Sequence, residues 1–166
     1  MQCKIQLVMC SDDGREEIVT DVIILKKACQ CIEHLGLTLA EAKQLLNTIQ
    51  QHLLQQQVSA FLAERFECDD CGAPLRMKGQ HTRTFRTLFG TFKLSSPRLY
   101  HCACQRRKTT TFRPLTSLLT ESVAPELLFI ETKWASLVSY GLTVRALTDF
   151  LPLEVALDIK TCVTMR

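Results

Sequence analysis

Residues 68–72 have the sequence Cys-Asp-Asp-Cys-Gly, and residues 102–104 have the sequence Cys-Ala-Cys. Each short segment supplies two thiol groups, and Gly72 allows the backbone to turn tightly after the first pair. Structural zinc takes four ligands in a tetrahedron and leaves no coordination position open. The two pairs therefore predict a structural zinc ion (Zn2+) held by Cys68, Cys71, Cys102 and Cys104.

The second cysteine pair has one residue between its thiols, whereas such sites usually have at least two. His101 or His81 is therefore an alternative ligand in place of one sulfur. A further alternative is a set of four reduced cysteines in the core that binds no metal. Cys29, Cys31 and His34 form a weaker set of potential ligands, for which the interpretation without metal is favoured.

The residues between the two pairs are typical of a β-hairpin. Segments 82–89 and 91–101 are rich in Thr, Phe, Leu and Tyr, and Gly90 separates them. This enrichment, interrupted by a glycine, favours two strands joined by a turn. Because two cysteine knuckles joined by a β-hairpin make a zinc ribbon, we expect a zinc ribbon over residues 67–113.

Charge is distributed unevenly along the chain, although the formal net charge is only +3. Residues 72–120, the acid-free window, contain no Asp or Glu and hold ten of the 20 Lys and Arg residues, which gives this window +10. The remainder has ten cations against 17 acids, or −7. This asymmetry favours a polyanion as partner, because Lys and Arg displace counterions from phosphates. A solvated basic surface is the alternative. The residues expected to contact double-stranded DNA are Arg83, Arg86, Lys93, Arg98, Arg106 and Arg107.

A hairpin and a long helix are predicted before the first cysteine pair. Residues 4–8 and 18–25 flank a Ser-Asp-Asp-Gly turn, which indicates two paired strands. Thr38 and Glu41 fit a capping box at the start of a helix that reaches about residue 66. The helix has an apolar stripe, which we expect either the hairpin or the same helix of a second subunit to cover. The stripe comprises Ala42, Leu46, Ile49, Leu53 and Ala60, with Leu45 and Leu62 beside it.

Three helical segments are predicted after the second cysteine pair. Pro125 opens the first, which is expected to run to about Tyr140 and to end at Gly141. Residues 143–150 and 154–163 are predicted to form the second and third. Helix, glycine turn, short helix, turn and helix is the order of a helix-turn-helix module. The third segment carries few cations, which is unfavourable for a recognition helix.

Four short stretches carry a resemblance to a known family. They are Arg-Thr-Leu-Phe-Gly at 86–90, Arg-Leu-Tyr-His-Cys at 98–102, Pro-Glu-Leu at 125–127 and Glu-Thr-Lys-Trp-Ala-Ser-Leu at 131–137. As a set they resemble the N-terminal part of bacterial insertion-sequence transposases of the ISKra type, over about residues 4 to 160. The resemblance implies a zinc ribbon and a helix-turn-helix that bind transposon ends. It also implies a following ribonuclease-H-like domain, whose acidic triad binds two divalent metals and performs strand transfer.

The 166 residues contain no such spaced acidic triad, and the family pattern breaks off after about Lys160. We therefore expect a truncated chain with no catalytic residue, which binds DNA without cutting it. The alternative is a stand-alone zinc-ribbon regulator or protein-interaction module. An enzyme with a reactive cysteine has little support, because paired cysteine spacings favour closed metal sites.

Composition agrees with a globular protein, since 46% of the residues are hydrophobic and 22% are charged. No apolar run approaches the roughly 18 to 20 residues of a membrane-spanning helix, and nothing resembles a signal peptide. A cytoplasmic location is therefore expected. We predict an α+β fold with a β-hairpin and long helix over residues 1–66, a central zinc ribbon over 67–113, and helix-turn-helix-like helices over 114–166.

Overall fold

The computed structural model describes residues 1–10, 14, 17–27, 32, 35–105 and 110–153. Over these residues the chain has an α+β fold with an N-terminal hairpin, a long helix and a second sheet, which confirms the predicted class. In the first hairpin, β1 (Gln2–Cys10) pairs in antiparallel fashion with β2 (Glu17–Lys26). The predicted turn between these strands lies outside the described ranges, apart from Gly14.

The long helix α1 (Leu39–Ala63) begins with the predicted capping box. The Thr38 hydroxyl accepts a hydrogen bond from the Glu41 amide, and the Glu41 carboxylate accepts one from the Thr38 amide. The Lys27 ammonium donates to the same carboxylate and so ties the end of β2 to the start of α1. The Lys27 ammonium first, and then the Thr38 amide and hydroxyl, lower the pKa of Glu41 to about 2.

The second sheet has the strand order β3 (Met77–Thr87), β4 (Gly90–Tyr100) and β5 (Thr111–Phe112), all antiparallel. The two long strands confirm the predicted hairpin and extend its first strand back to Met77. The sequence does not predict β5, because two residues show no detectable alternation.

Gly90 is required at the turn between β3 and β4. Its φ is 136°, and an added Cβ would lie 2.2 Å from the Asn47 side chain of α1. The Asn47 side-chain amide donates to the Phe89 carbonyl at 2.7 Å. The turn therefore seats the sheet directly on α1.

The hydrophobic core lies between one face of the sheet, α1 and a short helix, α2 (Leu115–Leu118). Its buried members are Val58 of α1, Phe92 and Leu94 of β4, and Leu115 of α2. Leu54, Leu62, Phe85 and Leu119 pack around them. The core thus draws residues from each of the three segments into which the sequence divides the chain.

The packed face of α1 differs from the predicted apolar stripe. Leu54, Val58 and Leu62 contact the core, whereas Leu46 and Leu53 of the stripe remain 42% and 37% exposed. Successive helix residues are separated by about 100°, so a face displaced by one residue points in a clearly different direction. The hairpin leaves these two stripe leucines exposed, and the second-subunit alternative stays a prediction.

The C-terminal helices are α3 (Pro125–Leu137) and α4 (Tyr140–Phe150). The predicted helix end at Gly141 is wrong, because Ser139 is extended and its carbonyl accepts from the Leu142 and Thr143 amides. Gly141 therefore lies inside the first turn of α4. The predicted helix 154–163 falls outside the described part of the chain. Within that part, no helix combines the length and apolar character needed to cross a membrane.

Candidate functional site

A tight turn after α1 presents the first cysteine pair. The Gly72 amide donates to the Cys68 carbonyl at 2.8 Å, and the Cys68 amide donates to the Ala73 carbonyl at 2.9 Å. Gly72 has φ 69°, a left-handed conformation that glycine adopts without steric cost. The turn brings the Cys68 and Cys71 side chains to the same side of the loop.

The second pair lies at the end of β4. The Gln105 amide donates to the Cys102 carbonyl at 3.0 Å and closes a short turn that contains Cys104. The Gln105 side chain donates to the Asp70 carboxylate at 2.7 Å, so the two cysteine turns are joined directly. The ends of the β3–β4 hairpin are therefore held together at this point.

Cys68, Cys71, Cys102 and Cys104 form a cluster that could hold a metal ion, with all four sulfurs within 4.8 Å of one another. The sulfur pairs Cys68–Cys104, Cys71–Cys102 and Cys71–Cys104 are each 3.5 Å apart. A tetrahedron with metal–sulfur bonds of about 2.3 Å has sulfur–sulfur distances of about 3.8 Å. The four thiols therefore fit tetrahedral coordination.

The thiols of the cluster have unequal proton affinities. The Cys104 backbone amide, followed by the Cys104 and Cys71 side chains, lowers the pKa of Cys102 to about 7. The neighbouring thiols, led by Cys102, raise the pKa of Cys104. Full deprotonation of such a closely packed set needs a cation to offset the mutual repulsion. A bound divalent metal ion would supply that charge.

Neither histidine considered as an alternative ligand belongs to this cluster. The His101 ring stacks on Phe112 with centroids 4.7 Å apart, and its Nδ1 is 3.3 Å from Gln105 Oε1. His81 Nε2 is 3.4 Å from Arg113 Nη1. The weaker set of Cys29, Cys31 and His34 is not within the described ranges.

The cations predicted to contact DNA are distributed over both faces of the sheet. Arg83 pairs with Leu94 across the hairpin, and neighbouring Thr84 pairs with Lys93. Because side chains alternate along a strand, Arg83 lies on the face that packs on α1 and α2, and Lys93 lies on the opposite face. Arg106 and Arg107 are outside the described residues.

Arg86 makes an ion pair that the sequence does not predict. Its Nη2 lies 3.4 Å from Glu131 Oε1 of α3, and the two side chains are 18% and 13% exposed. Burial raises the pKa of Glu131, and the Arg86 charge opposes that shift. The Arg86 backbone also bonds to Ser122 and Ala124 along the edge of β3. Arg86 therefore connects the sheet to α3.

No protein-family model matches the chain, and comparisons with curated proteins and with solved structures gave no match.

Proposed function

We propose that the chain is a zinc-stabilised DNA-binding module. In this proposal it corresponds to the end-binding region of an insertion-sequence transposase of the ISKra type and performs no strand transfer itself. One observation carries the proposal: the four-cysteine cluster closes the ends of a hairpin that lies inside the acid-free window. A metal bound there would rigidify the part of the chain where cations are concentrated.

Zinc is the metal that this set of ligands favours. Four thiolates with tetrahedral spacing suit zinc, while carboxylate-rich octahedral sites suit magnesium or calcium. A site with four protein ligands leaves no position for a substrate. The proposed role of the ion is therefore structural, and the hairpin with its two cysteine turns would be a zinc ribbon.

DNA is the partner that the charge distribution favours. The described part of the acid-free window carries seven Lys and Arg residues and no carboxylate that could compete with phosphate. In the proposal, α3 and α4 are the first helices of a helix-turn-helix, and any base contacts come from residues 143–166. The phosphate contacts come from the basic residues of the window.

The salt dependence of DNA binding tests this function. Each phosphate contact contributes about −0.9 to the slope of log affinity against log salt concentration. With Arg86 engaged by Glu131, the other five predicted cations give an expected slope of about −4 to −5. Fluorescence anisotropy of labelled duplex DNA at several salt concentrations measures it. An affinity that is independent of salt, or the absence of binding at low salt, would contradict DNA as the partner.

A protein-interaction module is the second candidate, because α1 leaves Leu46 and Leu53 exposed. This candidate predicts a protein complex and no salt-dependent DNA binding, so the same titration separates the two. For the proposed transposase origin, inverted repeats on both sides of the gene would be supporting evidence.

A further inference from the structure

A cleft of about 610 Å3 opens between the end of β4, β5 and α2. Its walls contain two guanidinium groups, three hydroxyl groups and one aromatic ring, and no carboxylate. The residues are Arg98, Thr111, Phe112, Arg113, Thr116 and Ser117. We refer to this feature as the arginine cleft. Of its residues, only Arg98 is among the cations that the sequence singles out.

Arg98 is positioned in the cleft by β5. Its Nε donates to Thr111 Oγ1 at 3.0 Å, and the side chain is half-buried. Within the described part of the chain, the two terminal nitrogens of its guanidinium have no protein acceptor. A guanidinium fixed through Nε presents these terminal nitrogens as a preformed fork for two oxygens.

Arg113 supplies the second guanidinium. It is exposed, and its Nη1 lies 3.4 Å from the His81 ring nitrogen. No described carboxylate forms an ion pair with either arginine of the cleft, whereas Arg86 is paired with Glu131. The positive charge of the cleft is therefore available to a ligand.

We infer that the arginine cleft binds the phosphodiester backbone of DNA. A phosphodiester presents two unbridged oxygens with one shared negative charge, which suits the two guanidinium groups of the cleft and the Thr111 and Thr116 hydroxyls. This inference rests on the proposed DNA-binding function and concerns the edge of the sheet face that carries Arg98. Arg83 lies on the same side, where its Nη2 donates to the Thr120 carbonyl at 3.1 Å.

The test compares two double variants of the full chain by the same salt titration. Arg98→Gln/Arg113→Gln removes both charges and should reduce the magnitude of the slope by about two, with weaker binding to all sequences alike. Arg98→Lys/Arg113→Lys keeps both charges and should retain most of the slope. Lys26→Gln on β2 removes a charge remote from the window and serves as the control. Thermal melts establish that each variant is folded.

The possible results separate the inference from the function on which it rests. If the parent binds DNA with a steep salt dependence and the glutamine double variant matches Lys26→Gln, the cleft assignment is wrong and the DNA-binding function stands. If the parent does not bind DNA, both the DNA-binding function and the cleft assignment are wrong. If the glutamine double variant does not fold, a third variant, Arg98→Lys/Arg113→Gln, is measured in its place. In that chain, one missing charge should reduce the slope by about one, and an unchanged slope overturns the assignment.

Discussion

At the scale of single residues, the cations of the acid-free window are not equivalent. Sequence alone groups Arg86 with Arg98, because both lie among aromatic residues in a stretch without acids. The structure distinguishes them, since Arg86 is paired with Glu131 and Arg98 lines an open cleft. Glu131 is 45 residues away from Arg86 along the chain, so no local pattern could reveal the pair.

Replacing Arg86 should affect stability more than DNA binding. Arg86→Ala leaves the largely buried Glu131 carboxylate without its cation, and losing a charged hydrogen-bond partner costs about 1–3 kcal/mol. Lys93→Ala removes the same charge from an exposed position on β4, where substitutions usually change stability by less than about 0.5 kcal/mol. Urea denaturation of the two variants measures the difference. Equal midpoints would show that the Arg86–Glu131 pair contributes little.

The four clustered cysteines, in contrast, could be predicted residue by residue. Each pair is local in sequence, and the chemistry of a closed thiolate site requires four ligands. The choice between a histidine and a cysteine could not be made from spacing. It depends on the stacking of His101 on Phe112 and on the contact between His81 and Arg113, both of which need the folded sheet.

At the scale of elements, the start of α1 was predictable and its packed face was not. The capping box involves Thr38 and Glu41, whose interaction depends on local geometry alone. The packed face depends on where the sheet docks, and Asn47 and Gly90 determine that position through contacts between distant segments. The stripe predicted from the sequence is apolar enough to be a core face, but its residues Leu46 and Leu53 are exposed in the structure.

The exposed stripe has the spacing of a coiled coil. Residues 39, 42, 46, 49 and 53 alternate steps of three and four, which is the heptad pattern of a two-stranded seam. Leu39 is 53% exposed and is a third exposed leucine on this face, with Leu46 and Leu53. This pattern supports the predicted dimer through α1, in which the same face of two chains would meet.

Charged substitutions in the stripe should therefore dissociate the dimer. Leu46→Asp/Leu53→Asp places like charges at the seam, and sedimentation should show a monomer. Where the parent monomer is itself folded, the thermal transition of this variant should match that of the parent. Gln44→Asp/Gln51→Asp adds the same charge at exposed positions away from the stripe and should leave the dimer intact. A parent that sediments as a monomer at high concentration would rule out this assembly.

At the scale of the whole molecule, the core and the cysteine cluster connect distant segments of the described chain. The core joins α1, β4 and α2, and the cluster joins the end of α1 to the end of β4. The α+β class, the two hairpins and the cluster follow from local patterns in the sequence. The strand β5, the short helix α2 and the arginine cleft could not be predicted, because they are defined by contacts between segments.

Since the cluster links two core elements, metal binding should be coupled to folding of the second sheet. A structural zinc site with four thiolates contributes directly to folding free energy, so we expect about one zinc per chain in protein purified without chelators. Cys71→Ser removes one ligand and should lower both the zinc content and the temperature of thermal unfolding. Cys10→Ser, at an exposed free cysteine of β1, should change neither. Metal analysis and circular dichroism provide the measurements, and metal analysis also distinguishes zinc from iron. Parent protein without zinc, or Cys71→Ser with the parent's zinc content and unfolding temperature, would show that these thiols serve no structural zinc.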